Sequence, residues 1–591
     1  MTALKVWKTK PVDETFARQL AAELHLPPML ANILSGYGFA DPASAAKFLD
    51  PRLRNVSDPF LVPQMEKAVA RIWQAVAARE KILVFGDYDV DGIASAVLLA
   101  QVLRRLGAEE VVPCLPNRLG EGYGLSTAAL QRCLAHANPS LIITVDCGIT
   151  AMESAEYLGK KGIDLIITDH HELGETLPPA VAVVNPKLGA SDSLKMLSGV
   201  GVAFKLCHAL LKYGKAKGFP KADFDLKEYL GLVALGTVAD IVPLLDENRI
   251  FVRHGLAKLN SSDSPGWRAL KEVAALKGGL DTYHLAFCIA PRLNAAGRLE
   301  SAETALELFL TNDEARAKSI AQQLDKANSE RQAIEAKILK EAAAEIDAYF
   351  RPETHYGIVV GRRSWHIGVI GIVASRLAGK YQRPVIVIGF GEDGAGRGSG
   401  RSIEGYNILN GLAACRNLLT AWGGHAMAAG MELNEKDYAQ FQQLFNQAAT
   451  TALKDKIKRP VQRINAWIEL QEVSDENFKA LERLAPFGQD NPKPVLAARG
   501  VRVAGVPRVV GKKHLRFAVS ENGKRFTAIA FNYAGSLINR AEGAINTAER
   551  TPPEGLIDIA FHIRKNSFNG SENLELNVLD WRKTLPTERN E

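Results

Sequence analysis

With 591 residues the chain is too long for one hydrophobic core and should divide into about three or four domains. Apolar residues make up 47% and charged residues 23%, the proportions of an ordinary soluble globular protein, and the net charge of +6 singles out no partner until its distribution is considered. No apolar run approaches the ~20 residues that cross a bilayer, and the lysines of MTALKVWKTKPVDETF have no apolar stretch behind them. Neither a membrane span nor a signal peptide is therefore expected, and the expected location is the cytoplasm. The six cysteines (Cys114, Cys133, Cys147, Cys207, Cys288 and Cys415) are scattered without a CxxC pair, so neither a zinc site nor a disulfide framework is expected.

Residues 1–45 read as a short helical lead-in. From Lys81 the pattern becomes apolar runs alternating with amphipathic stretches: KILVFGDYD, GIASAVLLAQVLRRLG, EEVVPCLP, LSTAALQRCLAH, LIITVDCG, ESAEYLGKKG, IDLIITDHH and AVAVVNP. Strands separated by helices in this way predict βαβ units and a doubly wound parallel sheet, here within residues 46–311. Residues 312–348 are polar with few turn formers and predict one long connecting helix. A second α/β segment, 349–455, opens with HYGIVVG and continues with PVIVIGF. Residues 460–585 hold INAWIEL, KHLRFAV, RFTAIAFN and LIDIAFHIR, short strands that predict a small β-barrel of the OB-fold type.

Chemistry concentrates where the predicted strands end. Asp87, Asp89 and Asp91 lie in GDYDVDG, Asp146 ends LIITVDCG, and Asp169, His170 and His171 end IDLIITDHH. Asp240, in LGTVADIVP, follows an apolar helix. Ligands of open parallel sheets bind at the carboxyl ends of the strands, so these groups are candidates for one rim. Any single strand-end aspartate can simply cap a helix. Crowded carboxylates, however, repel one another and require compensating cations, and a mixed carboxylate–imidazole set suits Mn²⁺, with Mg²⁺ possible. The set is large enough for two ions sharing a bridging carboxylate, the arrangement that clamps the attacking and leaving oxygens in phosphoryl transfer.

DYDVDG, VDCG, DHH and GTVAD, in that order, resemble the four motifs of the DHH phosphoesterase superfamily, and GRGSGRSIEG with WGGHAMAAG resembles its DHHA1 domain. NRLGEGYG, WHIGVIGIVASR, RLNAAGR and LAPFGQDNPKPV narrow the resemblance to the RecJ exonucleases over nearly the whole chain. The resemblance implies a DHH domain, a DHHA1 domain and an OB-type barrel, and a metal-dependent exonuclease that degrades single-stranded DNA from 5′ to 3′ in repair and recombination. It implies that Asp89 and Asp91 each bind one metal beside Asp87, that Asp146 bridges, and that His170 and Asp240 complete the second site. Asp169 would orient an imidazole, His171 would lie near the scissile phosphate or serve as a further ligand, and His425 would be a phosphate or metal-side contact. Arg118, Ser399 and Arg401 would hold the 5′-phosphate. Arg292, Asn294 and Arg298 of RLNAAGR are candidate backbone contacts, although arginines there are often only solvated. Single-strand-binding protein and a RecQ-type helicase are partners the family suggests; a monomer is expected.

The stretch from Lys493 to Arg540 carries ten Lys or Arg against one acid, Glu521, and includes Phe517, Phe526, Phe531 and Tyr533. Basic residues with interleaved aromatics are the ingredients of a single-strand groove, although alternating strands also place such rings in a core. Two other classes compete: a DHH phosphodiesterase of oligoribonucleotides or cyclic dinucleotides, which needs no basic barrel, and a non-catalytic DNA-binding scaffold of the Cdc45 type, which would be expected to lose metal ligands.

Overall fold

The computed structural model describes residues 5–584 apart from 118–120, 122–123, 300, 455, 457–459, 512–513, 532, 534–551, 553–554 and 569–570. The chain forms two compact units, one from residues 1–56, 243–253 and 459–591, the other from 57–242 and 254–458. Strand β1 (Val6–Thr9) belongs to the first unit.

The second unit contains β2 (Ile82–Gly86), β3 (Val111–Cys114), β4 (Leu141–Val145), β5 (Asp164–Thr168) and β6 (Ala182–Val184), all parallel, in the order β3-β2-β4-β5-β6. Unbroken runs such as ILVF and LIIT arise because both faces of the sheet are covered. Leu83, Phe85, Ile142 and Ile167 share a core with residues of the helices Thr127–Ala137 and Met152–Lys160. Gly86, on the alternate face, lies against Ala96 of the helix Val90–Leu106. The chain runs from β2 outward to β3 and returns past β2 to β4, so the order reverses between β2 and β4, and a crevice for ligand opens at that switch point.

A 36-residue helix, Glu314–Tyr349, begins at Asp313, whose carboxylate accepts from Ala315 and Arg316 N–H. Its Ile338, Ala342 and Ile346 enter the core of the next sheet beside Val360 and Val369. That sheet orders β7 (Ile358–Arg362), β8 (Val385–Phe390), β9 (Ala395–Arg401), β10 (Leu419–His425) and β11 (Ala428–Asn434) as β10-β11-β9-β8-β7, with only β7 and β8 parallel.

The first unit contains β12 (Val461–Ile464), which pairs in parallel with β1, then β13 (Ala466–Trp467), β14 (Leu496–Val510), β15 (His514–Glu521), β16 (Lys524–Ala530), β17 (Leu556–Phe568) and β18 (Ser571–Lys583). Pairing of β14 with both β15 and β17 closes β14-β15-β16-β18-β17 into a five-stranded barrel. The predicted N-terminal lead-in is part of this unit: Leu20, Leu30, Ile33 and Phe48 share one core with Val501, Phe517, Ile559 and Phe561. Arg249 is buried in the same unit with no carboxylate paired to it among the described residues, its guanidinium donating to the carbonyls of Phe48, Arg483, Leu484 and Ala485 at 2.7–3.2 Å. Burial lowers its pKa to about 9.

One expectation is corrected. Cys114, at the end of β3, and Cys133, on the helix Thr127–Ala137, form a disulfide with their Cα atoms 6.4 Å apart. Their separation of 19 residues conceals a return of the chain that brings the helix back over the strand end.

Candidate metal centre and substrate contacts

The DHH rim forms at the switch point. Asp146 follows β4 with φ of +62°, a left-handed conformation that aspartate tolerates and that turns its side chain into the crevice. His170 follows β5, and its Nε2 lies 3.1 Å from Asp146 Oδ1 and 3.5 Å from Oδ2 of Asp240, which ends the helix Leu230–Ala239. These three atoms are buried and make no hydrogen bond among the described residues. Buried polar atoms aimed at one another are costly unless a cation fills the space between them. Two sets bring their ligand atoms within 4.8 Å of one another: Asp146, His170 and His171, and Asp91, His170 and Asp240. Asp87 and Asp89 belong to neither set.

The motif residues divide their tasks. Asp89 caps the helix Val90–Leu106, its Oδ1 accepting from Asp91 and Gly92 N–H. Asp91 receives the N-terminus of the helix Gly199–Ala216, with Gly199 N–H on Oδ2 at 2.7 Å and Val200 N–H on Oδ1 at 2.9 Å. Asp169 accepts from His170, His171 and Ile149 N–H and lies 2.7 Å from His171 Nδ1. Burial alone would raise its pKa, but these bonds, that to His171 foremost, hold it below the ordinary value. The same pairing outweighs burial to raise His171.

Left without cations, Asp91, Asp146 and Asp240 would hold their protons more tightly than ordinary carboxyls. Burial, then the charge of Asp89, pushes Asp91 up to about 7. Burial, then Asp91 and Asp89, pushes Asp240 up to about 9. Asp146 is raised well above the carboxylate range by burial and then by Asp91. Burial, followed by the neighbouring His171, lowers His170 to about 4, leaving a neutral imidazole suited to ligation. The donor set thus fits divalent cations.

Three supports were not legible in the sequence. Asn185 donates to His171 O at 3.0 Å, and Ser198 and Thr237 hydroxyls meet at 3.0 Å, tying the helix on Asp91 to the helix bearing Asp240. Gly199 and Gly236 abut Asp146 and Asp91, where a Cβ would overlap the carboxylates. Only the glycines of SGVGV hinted at so close an approach.

The substrate candidates fare differently. GRGSGRS, whose glycines have the composition of a loop, instead forms strand β9, paired on both sides, so its backbone N–H groups belong to the sheet. Its alternating glycines face Phe390, Met431 and Ile408, which leave no room for side chains there, while Ser399 and Arg401 occupy the other face. Arg401 donates to Ser399 Oγ at 3.0 Å, and both lie against Gly371 in the first turn of the helix Ile370–Tyr381, whose N-terminus favours anions. Arg298 donates to Gly368 O at 3.1 Å, just before that helix. Asn294 accepts from Val90 N–H at 3.1 Å and so steadies the metal motif. Arg292 pairs with Asp325 at 2.9 Å, which accounts for it structurally. His425 sits exposed at the end of β10, and its charge, after the dominant bond from Lys187, helps to lower Glu172 beside His171. Trp365 is buried and donates to Glu341 at 2.9 Å. Arg118 lies outside the described residues, as do Lys512, Lys513 and Arg540. On the barrel, Phe517 is in the core and Phe526 and Tyr533 pack on it, whereas Phe531 is 40% exposed with the Arg564 guanidinium 5.2 Å over its ring.

A parallel sheet whose strand ends bring carboxylates and a neutral imidazole to its switch point, joined to a second α/β domain, defines a metal-dependent phosphoesterase of the DHH class. The family models agree: the DHH family, N-terminal domain, matches residues 81–237, the DHHA1 domain 354–451 and the RecJ OB domain 464–580. The single-stranded-DNA-specific exonuclease RecJ of Bacillus subtilis is 36% identical over 581 residues, covering 97% of this chain and 70% of that protein. Thermus thermophilus RecJ in complex with Mn²⁺ superposes with a TM-score of 0.80 at 30% identity, covering 98% of this chain and 80% of that one. The same protein with Mg²⁺ gives 0.74 at 28% identity, covering 98% and 79%. The chain belongs to the RecJ family of single-stranded-DNA-specific exonucleases. No helix among the described residues is long and apolar enough to cross a membrane.

Proposed function

We propose that the protein degrades single-stranded DNA from its 5′ end, one nucleotide at a time, using two divalent cations, Mn²⁺ or Mg²⁺. The observation that carries this reading is the convergence of the unbonded, buried Asp146 Oδ1, His170 Nε2 and Asp240 Oδ2. Asp91, Asp146, His170 and Asp240 would hold the ions, with Asp87 and Asp89 adding negative charge beside them. When bound, the ions activate water and neutralise the charge that develops on the phosphate.

The chain's own residues do the rest. Asp169 fixes the His171 ring through Nδ1, which leaves Nε2 to give a proton to the departing 3′ oxygen of the terminal nucleotide. Ser399, Arg401, Arg298 and the first turn of Ile370–Tyr381 would grip the terminal phosphate, together with Arg118. A grip on that phosphate presents one bond to the centre, because in-line attack tolerates little misplacement. It also favours ends over internal sites. His425 would contact the same phosphate region. Arg502, Arg508, Lys524 and Arg525, exposed on the barrel, would draw in the strand, with Phe531 as a stacking surface. Single-strand-binding protein and a RecQ-type helicase are the partners to test by family likeness.

The deciding experiment follows single strands labelled at either end, with and without a 5′-phosphate, under Mn²⁺ or Mg²⁺. Early mononucleotide release from the 5′ label alone is expected. Release from the 3′ label would refute the polarity, and an Arg401→Ala variant that kept full preference for 5′-phosphorylated ends would refute the pocket.

A further inference from the structure

The helix that carries Asn294 and Arg298 begins well before them. It runs from Thr282 without a break to Leu299, with a π-helical stretch, His284–Ile289, inside it. Asp281 starts it by accepting from His284 N–H at 3.0 Å. Residues 285, 289, 293 and 296 (Leu285, Ile289, Leu293 and Ala296) are buried and fix its inner face. Positions 283, 287, 291, 294 and 298 recur one turn apart and form the opposite stripe. At the far end of that stripe, Tyr283 and Phe287 are 61% and 68% exposed, and their rings are 4.9 Å apart. Two large aromatics left mostly in water beside each other are an expensive use of surface. π-Helical turns are rare and frequently mark functional sites.

The near end of the stripe belongs to the catalytic rim. Asn294 holds Val90 N–H, Gly297 packs against the backbone of Tyr88 inside DYDVDG, and Arg298 reaches Gly368. From Arg298 to Phe287 the helix rises about 16 Å, several nucleotides of an extended strand. We infer that Tyr283 and Phe287 form a stacking platform for nucleobases of the single strand a few nucleotides 3′ of the scissile bond, continuous with the rim through one helix face. The inference rests on the proposed 5′-first reading for its direction. The chemistry is sequence-tolerant, since every base offers a π face to an aromatic ring. A duplex would present no such face, because its bases are already stacked on one another. The platform would therefore contribute to the preference for single strands while taking no part in bond cleavage.

The test compares Phe287→Ala, Tyr283→Ala and Phe287→Trp with the native protein on two 5′-phosphorylated substrates, a dinucleotide and a single strand of about 16 nucleotides. For the alanine variants, KM for the long strand should rise about fivefold or more, kcat should stay within about twofold, and the dinucleotide should be cleaved as before. Phe287→Trp should restore the long-strand KM. In chelator, a 2-aminopurine placed a few nucleotides from the 5′ end should be quenched by the native protein and less so by Phe287→Ala. This binding measurement needs no cleavage, so it stands even if the catalytic reading fails. Unchanged long-strand KM and unchanged quenching would overturn the platform. So would equal losses on both substrates, which would mean that the aromatics merely shape the helix. Quenching that moved to the 3′ end would keep the platform and refute the 5′-first direction instead.

Discussion

At the scale of single residues, the candidate centre was legible because its chemistry is written in charged side chains at strand ends. Asp146, His170 and Asp240 could be proposed from position alone, and the structure brings them together. Their supports could not, because Asn185, Ser198 and Gly199 look like ordinary turn and helix-start residues until the fold sets them beside the acids. Asn185→Ala should release the His171 backbone and reduce metal affinity or activity about 10–100-fold, measured by Mn²⁺ titration and hydrolysis of a labelled strand. A second residue-scale prediction concerns acid stability. His562 Nδ1 lies 2.8 Å from Pro494 O, which can only accept, so Nδ1 carries the donated hydrogen. Burial lowers its pKa from 6.5 to about 4. A depressed folded pKa means that the unfolded chain takes up the proton first. The histidine's stabilisation is therefore complete above pH 6.5 and lost as pH falls toward 4, roughly 3 kcal/mol at most. His562→Gln should flatten the decline in melting temperature between pH 7 and pH 4 relative to the native protein. Parallel declines would show that the ring does not carry it.

At the scale of elements, the alternation of β2 to β5 with helices was readable from apolar period, and so was β6 as a further apolar run, whereas β9 was not. Its sequence, AGRGSGR, has the composition of a loop, and only tertiary crowding by Phe390, Met431 and Ile408 explains why glycine occupies every inward position of a paired strand. The barrel aromatics show the same limit: a ring on an alternating strand reads equally as core or as contact, and packing decided for Phe517 and against Phe531. The helix Gly199–Ala216 holds Asp91 with its first two N–H groups while Gly199 lies against Asp146. Gly199→Ala should therefore leave a helix that forms normally and a centre that does not. We expect hydrolysis to fall on the order of 100-fold with an unchanged circular dichroism spectrum, since a misplacement near 1 Å is enough. Near-native activity would mean that Asp146 can move aside without cost.

At the scale of the whole molecule, the sequence suggested domains laid end to end, but the first unit is assembled from residues 1–56, 243–253 and 459–591. Hydrophobic patterning reports which residues are buried and is silent on which distant segment buries them, so the lead-in helices read as a separate piece. A chain ending at residue 458 should lose more than a DNA-binding barrel. Leu20, Leu30, Ile33 and Phe48 would lose their core partners, and Arg249 its carbonyls at 483–485. Limited proteolysis should cut that truncated chain within residues 1–56 while sparing the same region in the full-length protein; equal resistance would show that the N-terminal helices are stable alone. The parallel pairing of Val6–Thr9 with Val461–Ile464 has a temporal consequence as well. On a ribosome making about 5–20 residues per second, the first strand waits on the order of tens of seconds for its mate. During that interval the opening helices expose the apolar side chains that the barrel will later cover. While those side chains wait uncovered the nascent chain should be open to chaperone binding, and its yield in a cell should depend on chaperones more steeply than its final stability would suggest.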